Sequence, residues 1–149
     1  MYTQQEISDR LEIQDLMLRY SHAVDTRDWA AFRRVFTADA VIDYRVFGGP
    51  AGNVDETVAF LEAAMPMFSH YQHMISPPML DLDGDSATAR TMCHNPMVWP
   101  ADGGDHVFVC GLWYVDKLAR TADGWRIAER VEEKCYVDNF PEALTPPSS

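Results

Sequence analysis

The sequence is poor in the features that announce a cofactor, a membrane or a nucleic acid. Its 149 residues include only three cysteines, Cys93, Cys110 and Cys135, widely separated and without a CxxC pair. An odd, scattered set suits neither a disulfide framework nor a zinc site and reads as small buried hydrophobes in a reducing compartment. Basic residues are also scarce: 12 Lys and Arg stand against 23 Asp and Glu, a net charge of −11. That balance speaks against nucleic acid or an anionic membrane as the main partner, since both recruit basic surfaces. No apolar run approaches the roughly 20 residues that a membrane helix needs. Charged residues begin at Glu6 and no apolar signal-peptide core follows, so the expectation is a cytoplasmic protein. GxSxG, GxGxxG, Walker and HExxH patterns are all missing, which leaves no motif for a nucleophilic serine, a nucleotide cofactor or a zinc-bound water. Neither a metal nor a cofactor is expected.

What is present is ordinary globular material, 47% apolar and 23% charged. The length suits one domain with a core or an enclosed pocket. That domain is expected to span residues 1–140, with a Pro/Ser-rich tail, "PEALTPPSS", over 141–149.

Thr3 with Glu6 matches a capping box, so a helix should start near residue 4. Ile13, Met17, Tyr20 and Val24 then recur at helical spacing as one buried stripe. After a break at "DTRD", a short helix over "WAAFRRVF" buries Trp29, Phe32 and Phe36. "VIDYRVF" alternates as a strand, with Ile42, Tyr44 and Val46 on one face, and "VDETVAFLEAAM" reads as a helix ended or kinked at Pro66. Beyond it the pattern is strand, turning at "DGD" and "TADG". Four long strands in a meander are expected. The fold class is therefore α+β, a curved antiparallel sheet shaped as a cone, with N-terminal helices enclosing an apolar pocket. "VFVCGLWYV" is apolar on both faces, which predicts a pocket inside and a helix or a second subunit outside, the latter in a dimer or trimer.

Acid–base chemistry is the class that survives these exclusions. In "SHYQHMIS", His70 and His73 stand three apart among prolines. On a strand or turn they diverge, and no third ligand at a telling spacing supports a metal. Asp25 closes the first helix on the edge of its apolar stripe. Taken alone it reads as a cap for the next short helix, and His73 alone reads as a half-buried strand histidine.

Paired, the two read differently, and a resemblance supplies the pairing. "VDTRDWAAFRRVFTADAVIDYR", "QHMI" at His73 and "DGWRIAERV" near the end together resemble scytalone dehydratase and the SnoaL-like proteins. The looser likeness runs over about residues 5–138. It implies the cone-shaped α+β barrel of the nuclear transport factor 2-like superfamily, which also holds dehydrochlorinases, polyketide cyclases, steroid isomerases, epoxide hydrolases and non-catalytic dioxygenase β subunits.

The resemblance implies an Asp25–His73 dyad and a Tyr44 that polarises the substrate. It also marks departures. Val24 stands where the dehydratase has a second tyrosine, and Cys110 and Leu112 fall where it has hydrogen-bonding side chains. A second histidine aligns near His94 to Met97. By alternation Cys93, Asn95 and Met97 share a face that His94 does not, unless Pro96 shifts the register through a bulge. Asn95 reads equally as a pocket donor or as a loop-closing residue. Val24, Asn95, Met97, Trp113 and His94 are the candidate substrate contacts. "RIAERVEEKC" has the look of a solvated or interface face.

The expected activity is a cofactor-independent lyase of dehydratase type, acting on a cyclic or polyketide-like hydrophobic compound. An isomerase or cyclase would use the same base, and a non-catalytic binding or assembly domain would need no dyad. An epoxide hydrolase would need an Asp/Arg/Asp set, for which Asp43, Arg90 and Asp116 are the available residues.

Overall fold

The computed structural model describes residues 1–145. Helix α1 (Gln4–Thr26) opens on the Thr3–Glu6 capping box, both of its reciprocal bonds formed, and ends where Arg27 turns left-handed at φ 56°. Its stripe of Ile13, Met17, Tyr20 and Val24 is buried, with Leu16 beside it. Helix α2 (Trp29–Arg34) is capped by Asp28, whose carboxylate accepts the Ala31 N–H at 2.9 Å. Asp25 therefore lies in the last turn of α1 and caps nothing.

Strand β1 (Phe36–Asp43) starts earlier and stops earlier than the alternation predicts. Tyr44 leaves the strand and opens a 3-10 turn over Arg45–Phe47. Two local contacts cause this. The Asp43 carboxylate takes both the backbone N–H and the guanidinium of Arg45, while the Tyr44 carbonyl accepts from Phe47 and Gly49. Gly48 supplies the positive φ of 84° that reverses the chain. At Gly49 a Cβ would sit 2.7 Å from that of Tyr44, so a side chain there would push the tyrosine away.

A short strand β2 (Ala51–Gly52) leads to α3 (Val54–Ala64), which has a second capping box from Asn53 and Glu56 and passes into a 3-10 turn at Pro66. The next strands are fragments: β3 (His70–Tyr71), β4 (Met74–Ile75) and β5 (Met79–Asp83). All three lie antiparallel along β6 (Ser86–Ala101), and Pro77 and Pro78 separate the last two. Long strands β7 (Gly104–Thr121) and β8 (Gly124–Asp138) complete the meander. So three long strands stand where four are expected, because the proline-rich segment breaks the first into pieces.

The sheet runs β2-β1-β8-β7-β6-β3. Its one departure from antiparallel order is β1, which pairs parallel with β8. The sheet curves without closing, and α1, α2 and α3 cover its inner face to give the α+β cone. Beyond residue 140 the first tail residues pack against this body: Pro141 is buried and Leu144 joins the edge of the core. Residues 146–149 of the expected tail lie outside the described residues. No helix among the described residues is long and apolar enough to cross a membrane.

Two irregularities in β8 decide which side chains face inward. Trp125 and Ile127 point into the core. Ala128 is then an extra residue against the Lys117–Leu118 step of β7, and Cys135 is a second against Gly111–Leu112. Each bulge reverses the alternation. Between them the even-numbered residues Arg130, Glu132 and Lys134 point inward, and after the second Val137 does.

Candidate active site

The cone encloses a cavity of about 660 Å³, open at one end and walled mainly by apolar side chains, Phe60, Phe68 and Phe108 among them. Such a volume suits a small organic molecule of one to a few rings.

Asp25 and His73 meet on its wall. Nδ1 of His73 lies 2.6 Å from Oδ1 of Asp25, and the same carboxylate accepts the His73 backbone N–H at 3.0 Å. A carboxylate at Nδ1 sets the tautomer: Nδ1 carries the hydrogen and Nε2 is the unprotonated, accepting nitrogen. The His73 side chain is 9% exposed, and its ring lines the cavity. Asp25 stands behind it on the other side of the wall, beside Ser69 and Tyr71. A carboxylate in the last turn of a helix opposes the macrodipole, and α1 has no basic residue there to offset it. The contact with His73 is what that position provides.

Asn95 continues the chain of bonds. It faces inward on β6, and its Nδ2 donates to His73 Nε2 at 3.2 Å. Among the described residues its buried Oδ1 has no partner. Val24 and Met97 line the cavity, as do Cys110 and Leu112. Burial pushes the thiols of Cys93 and Cys110 up to about 12 and about 11, so both stay neutral. Cys135, by contrast, is exposed at its bulge rather than buried.

Two candidate contacts lie elsewhere. β6 runs against β7 in unbroken register through Pro96, so His94 points outward and bonds the Tyr136 hydroxyl at 3.1 Å. Trp113 is also on the outer face, under the guanidinium of Arg90. His70 is exposed on β3. Among the described residues no three His, Cys, Asp or Glu side chains converge on a metal-sized site. The Asp43, Arg90 and Asp116 set is dispersed: Asp43 pairs with Arg45, Arg90 with Glu133 and Asp116 with Arg130.

Tyr44 is buried, and its hydroxyl is hydrogen-bonded to that of Tyr20. The resemblance drew attention to Val24 as a missing tyrosine; Tyr20, one turn earlier on the same face of α1, supplies the second hydroxyl instead. A tyrosine in an otherwise aliphatic stripe must find a partner for its hydroxyl, and this was the available sign of it. Burial pushes Tyr20 up to about 12 and Tyr44 above its ordinary range, so both are neutral donors. Beneath them Arg130 and Asp116 form a fully buried bidentate pair, with both bonds at 2.7 Å. The guanidinium stacks 4.0 Å from the Tyr20 ring centre and 4.1 Å from that of Tyr114, which holds both rings in place.

Glu132 is the inward residue that alternation from Trp125 hides. It lines the cavity on β8, and burial pushes its carboxyl up to about 8 against the opposing charge of Arg130.

A SnoaL-like domain matches residues 5–131. The chain belongs to the SnoaL-like family. It is 48% identical to the uncharacterized protein Rv2910c of Mycobacterium tuberculosis over 131 residues, 88% of each chain. Among solved structures, this family member superposes on a scytalone dehydratase-like protein of Novosphingobium aromaticivorans with a TM-score of 0.81 at 16% identity, over 94% of this chain and 93% of the other. It superposes on a type 2 LinA, a hexachlorocyclohexane dehydrochlorinase, with a TM-score of 0.79 at 16% identity, over 96% and 97%. At those identities the likeness is one of fold.

Proposed function

We propose that this SnoaL-like protein is a cofactor-independent lyase that eliminates water from a cyclic or polyketide-like hydrophobic compound. His73 is the general base. Its Nε2 takes a proton from a carbon beside a carbonyl, and Asp25 holds the ring and stabilises the imidazolium that forms. Tyr44, aligned by Tyr20, donates to the enolate oxygen, where a fixed donor in an apolar cavity has its greatest effect. The observation that carries this reading is the 2.6 Å Asp25–His73 contact with the ring at the cavity wall. A protein that merely bound a ligand would have no use for a carboxylate placed against its helix dipole to orient an imidazole. Neighbours of the same fold include a dehydratase-like protein and a dehydrochlorinase, and both names denote eliminations.

Hydrogen–deuterium exchange tests the base directly. 2-Tetralone in D2O, followed by NMR, should exchange its α-hydrogens faster with the wild type than with His73→Ala. Elimination from cyclic β-hydroxy ketones should show the same dependence. Double-bond migration or ring closure would share the first step and differ in product. Equal rates for wild type and variant would leave the ligand-binding reading in its place.

A further inference from the structure

Glu132 has no part in the dyad, yet it occupies the same cavity. It pairs with Tyr114 across the β7–β8 ladder, one step above the buried Asp116–Arg130 pair. The charged and titratable groups around it are few. Arg130 lies below on its own strand and is already committed to Asp116. Lys134 follows on the same face nearer the solvent, and Asp43 adds like charge from the end of β1. The hydroxyls of Tyr20, Tyr44 and Tyr114 come from α1, the 3-10 turn and β7, and the Cys93 and Cys110 thiols from β6 and β7; all five are neutral, and each feels the carboxyl's charge. Among the described residues no group hydrogen-bonds the carboxyl. Glu132 is half-buried, and its carboxyl opens on the cavity, so a ligand there meets it directly.

We infer that Glu132 is the general acid of this site, and that its presence selects a substrate whose leaving group is a hydroxyl rather than a halide. The inference rests on His73 acting as the base. His73 lies between β3 and β4, which pair with β6 on its side away from β7, and Glu132 lies on β8. Three strand spacings, about 14 Å along the curved sheet, therefore separate the two backbones, while both side chains line the same cavity. A ring compound in the cavity reaches both. The two carry the opposite proton states that the reaction needs: a base whose Nε2 is unprotonated, held by Asn95 until substrate takes its place, and an acid whose desolvation favours the protonated form. The step balances. Nε2 of His73 takes the α-proton, the C–H electron pair becomes the new C=C bond, and the C–O bond breaks with its pair going to oxygen. Glu132 passes its proton to that oxygen, which leaves as water. The imidazolium then releases one proton to solvent and the carboxylate regains one. A departing chloride takes no proton and would gain nothing from the acid.

A leaving-group comparison tests the inference. The probes are two cyclic ketones that differ only at the β-carbon, one carrying a hydroxyl and the other 4-nitrophenoxide. Glu132→Gln keeps the shape and loses the proton. It should lower kcat for the hydroxyl compound by about 10²–10⁴-fold and cost the nitrophenoxide compound far less. Wild-type turnover of the hydroxyl compound should fall above pH 8, a limb that the variant lacks. Equal losses on both compounds, or none on either, would overturn the role. His73→Ala must lower both rates, so failure of the base is seen separately from failure of the acid. Titration of the Glu132 carboxyl carbon by NMR needs no turnover: a midpoint near pH 8 supports the inference, and one in the ordinary carboxylate range overturns it even if neither probe reacts.

Discussion

Asp25 holds His73 by two bonds from one carboxylate, to Nδ1 at 2.6 Å and to the backbone N–H at 3.0 Å. The helix end and the loop it faces are thereby locked together, and the imidazole can neither rotate nor exchange tautomer without breaking the first bond. Orientation and stability are separable here, because an amide in place of the carboxylate can still accept from the backbone.

Asp25→Asn is therefore expected to fold and to lose activity. An amide can donate to Nδ1, which would place the ring hydrogen on Nε2 and remove the lone pair that faces the cavity. A loss of about 10²–10⁴-fold in kcat/KM is expected, in line with the wrong-tautomer effect on histidine bases. Thermal melting should move by only a few degrees. A variant with wild-type turnover would remove the carboxylate from the mechanism.

The two tyrosine hydroxyls should separate in the opposite sense. Tyr20→Phe leaves the Tyr44 hydroxyl without its buried partner, and Tyr44→Phe does the reverse. Each should cost about 1–3 kcal/mol of stability, and the double variant should cost less than the sum, since no orphaned hydroxyl remains. Catalysis should suffer more from Tyr44→Phe, because that hydroxyl is the proposed donor to the enolate. Urea denaturation and steady-state rates on the same preparations measure both.

Arg130 and Asp116 form a pair without solvent contact, and among the described residues the Arg130 Nη1 has no partner of its own. Removing one charge strands the other, so Asp116→Asn should destabilise by about 3–5 kcal/mol. Replacing both at once, as Arg130→Met with Asp116→Leu, should recover much of that loss. The double variant would still lose the cation that stacks on Tyr20 and Tyr114, so partial activity with near-normal stability is the expected combination. Denaturant midpoints and kcat together check it.

Glu132 should make the protein less stable as pH rises. Its folded carboxyl holds a proton up to about pH 8, whereas the unfolded chain releases it in the usual carboxylate range. Between those limits the native state binds the extra proton, so stability falls with rising pH and levels off above the folded value. Glu132→Gln should match the wild type near pH 4 and exceed it by about 1–3 kcal/mol at pH 8, cavity water screening the rest. For a chain of this length that is a Tm gain of several degrees. Melting curves across pH 4–9 would show the gap opening, and a constant gap would sink the idea. A destabilising carboxyl in a cavity is the usual signature of a functional one.

Much of the fold was legible because its signals are local. The capping box at Thr3, the apolar stripe of α1 and the turn residues between strands act over a few residues, and the structure carries each of them. The inward face of β6 was legible for the same reason: alternation holds as long as no bulge intervenes, and none does between Cys93 and Met97. Tyr44 faces inward as the alternation predicts, and only its strand ends early, because the Asp43–Arg45 clasp and Gly48 stop it one residue before.

The sequence by itself determined the helices, the meander, the acidic surface and the face of β6 that carries Asn95. All of these follow from periodicity and composition. Only the tertiary structure decided which residues meet. Asp25 and His73 are 48 positions apart, and nothing in either neighbourhood forces their contact; the curvature of the sheet against α1 does. Tyr20 and Tyr44 meet for the same reason. Glu132 was hidden more deeply. The bulges at Ala128 and Cys135 each set one extra residue of β8 against β7, and a bulge reverses every inward and outward assignment after it. Alternation counted from Trp125 sends Glu132 into solvent, while pairing with β7 turns it into the cavity.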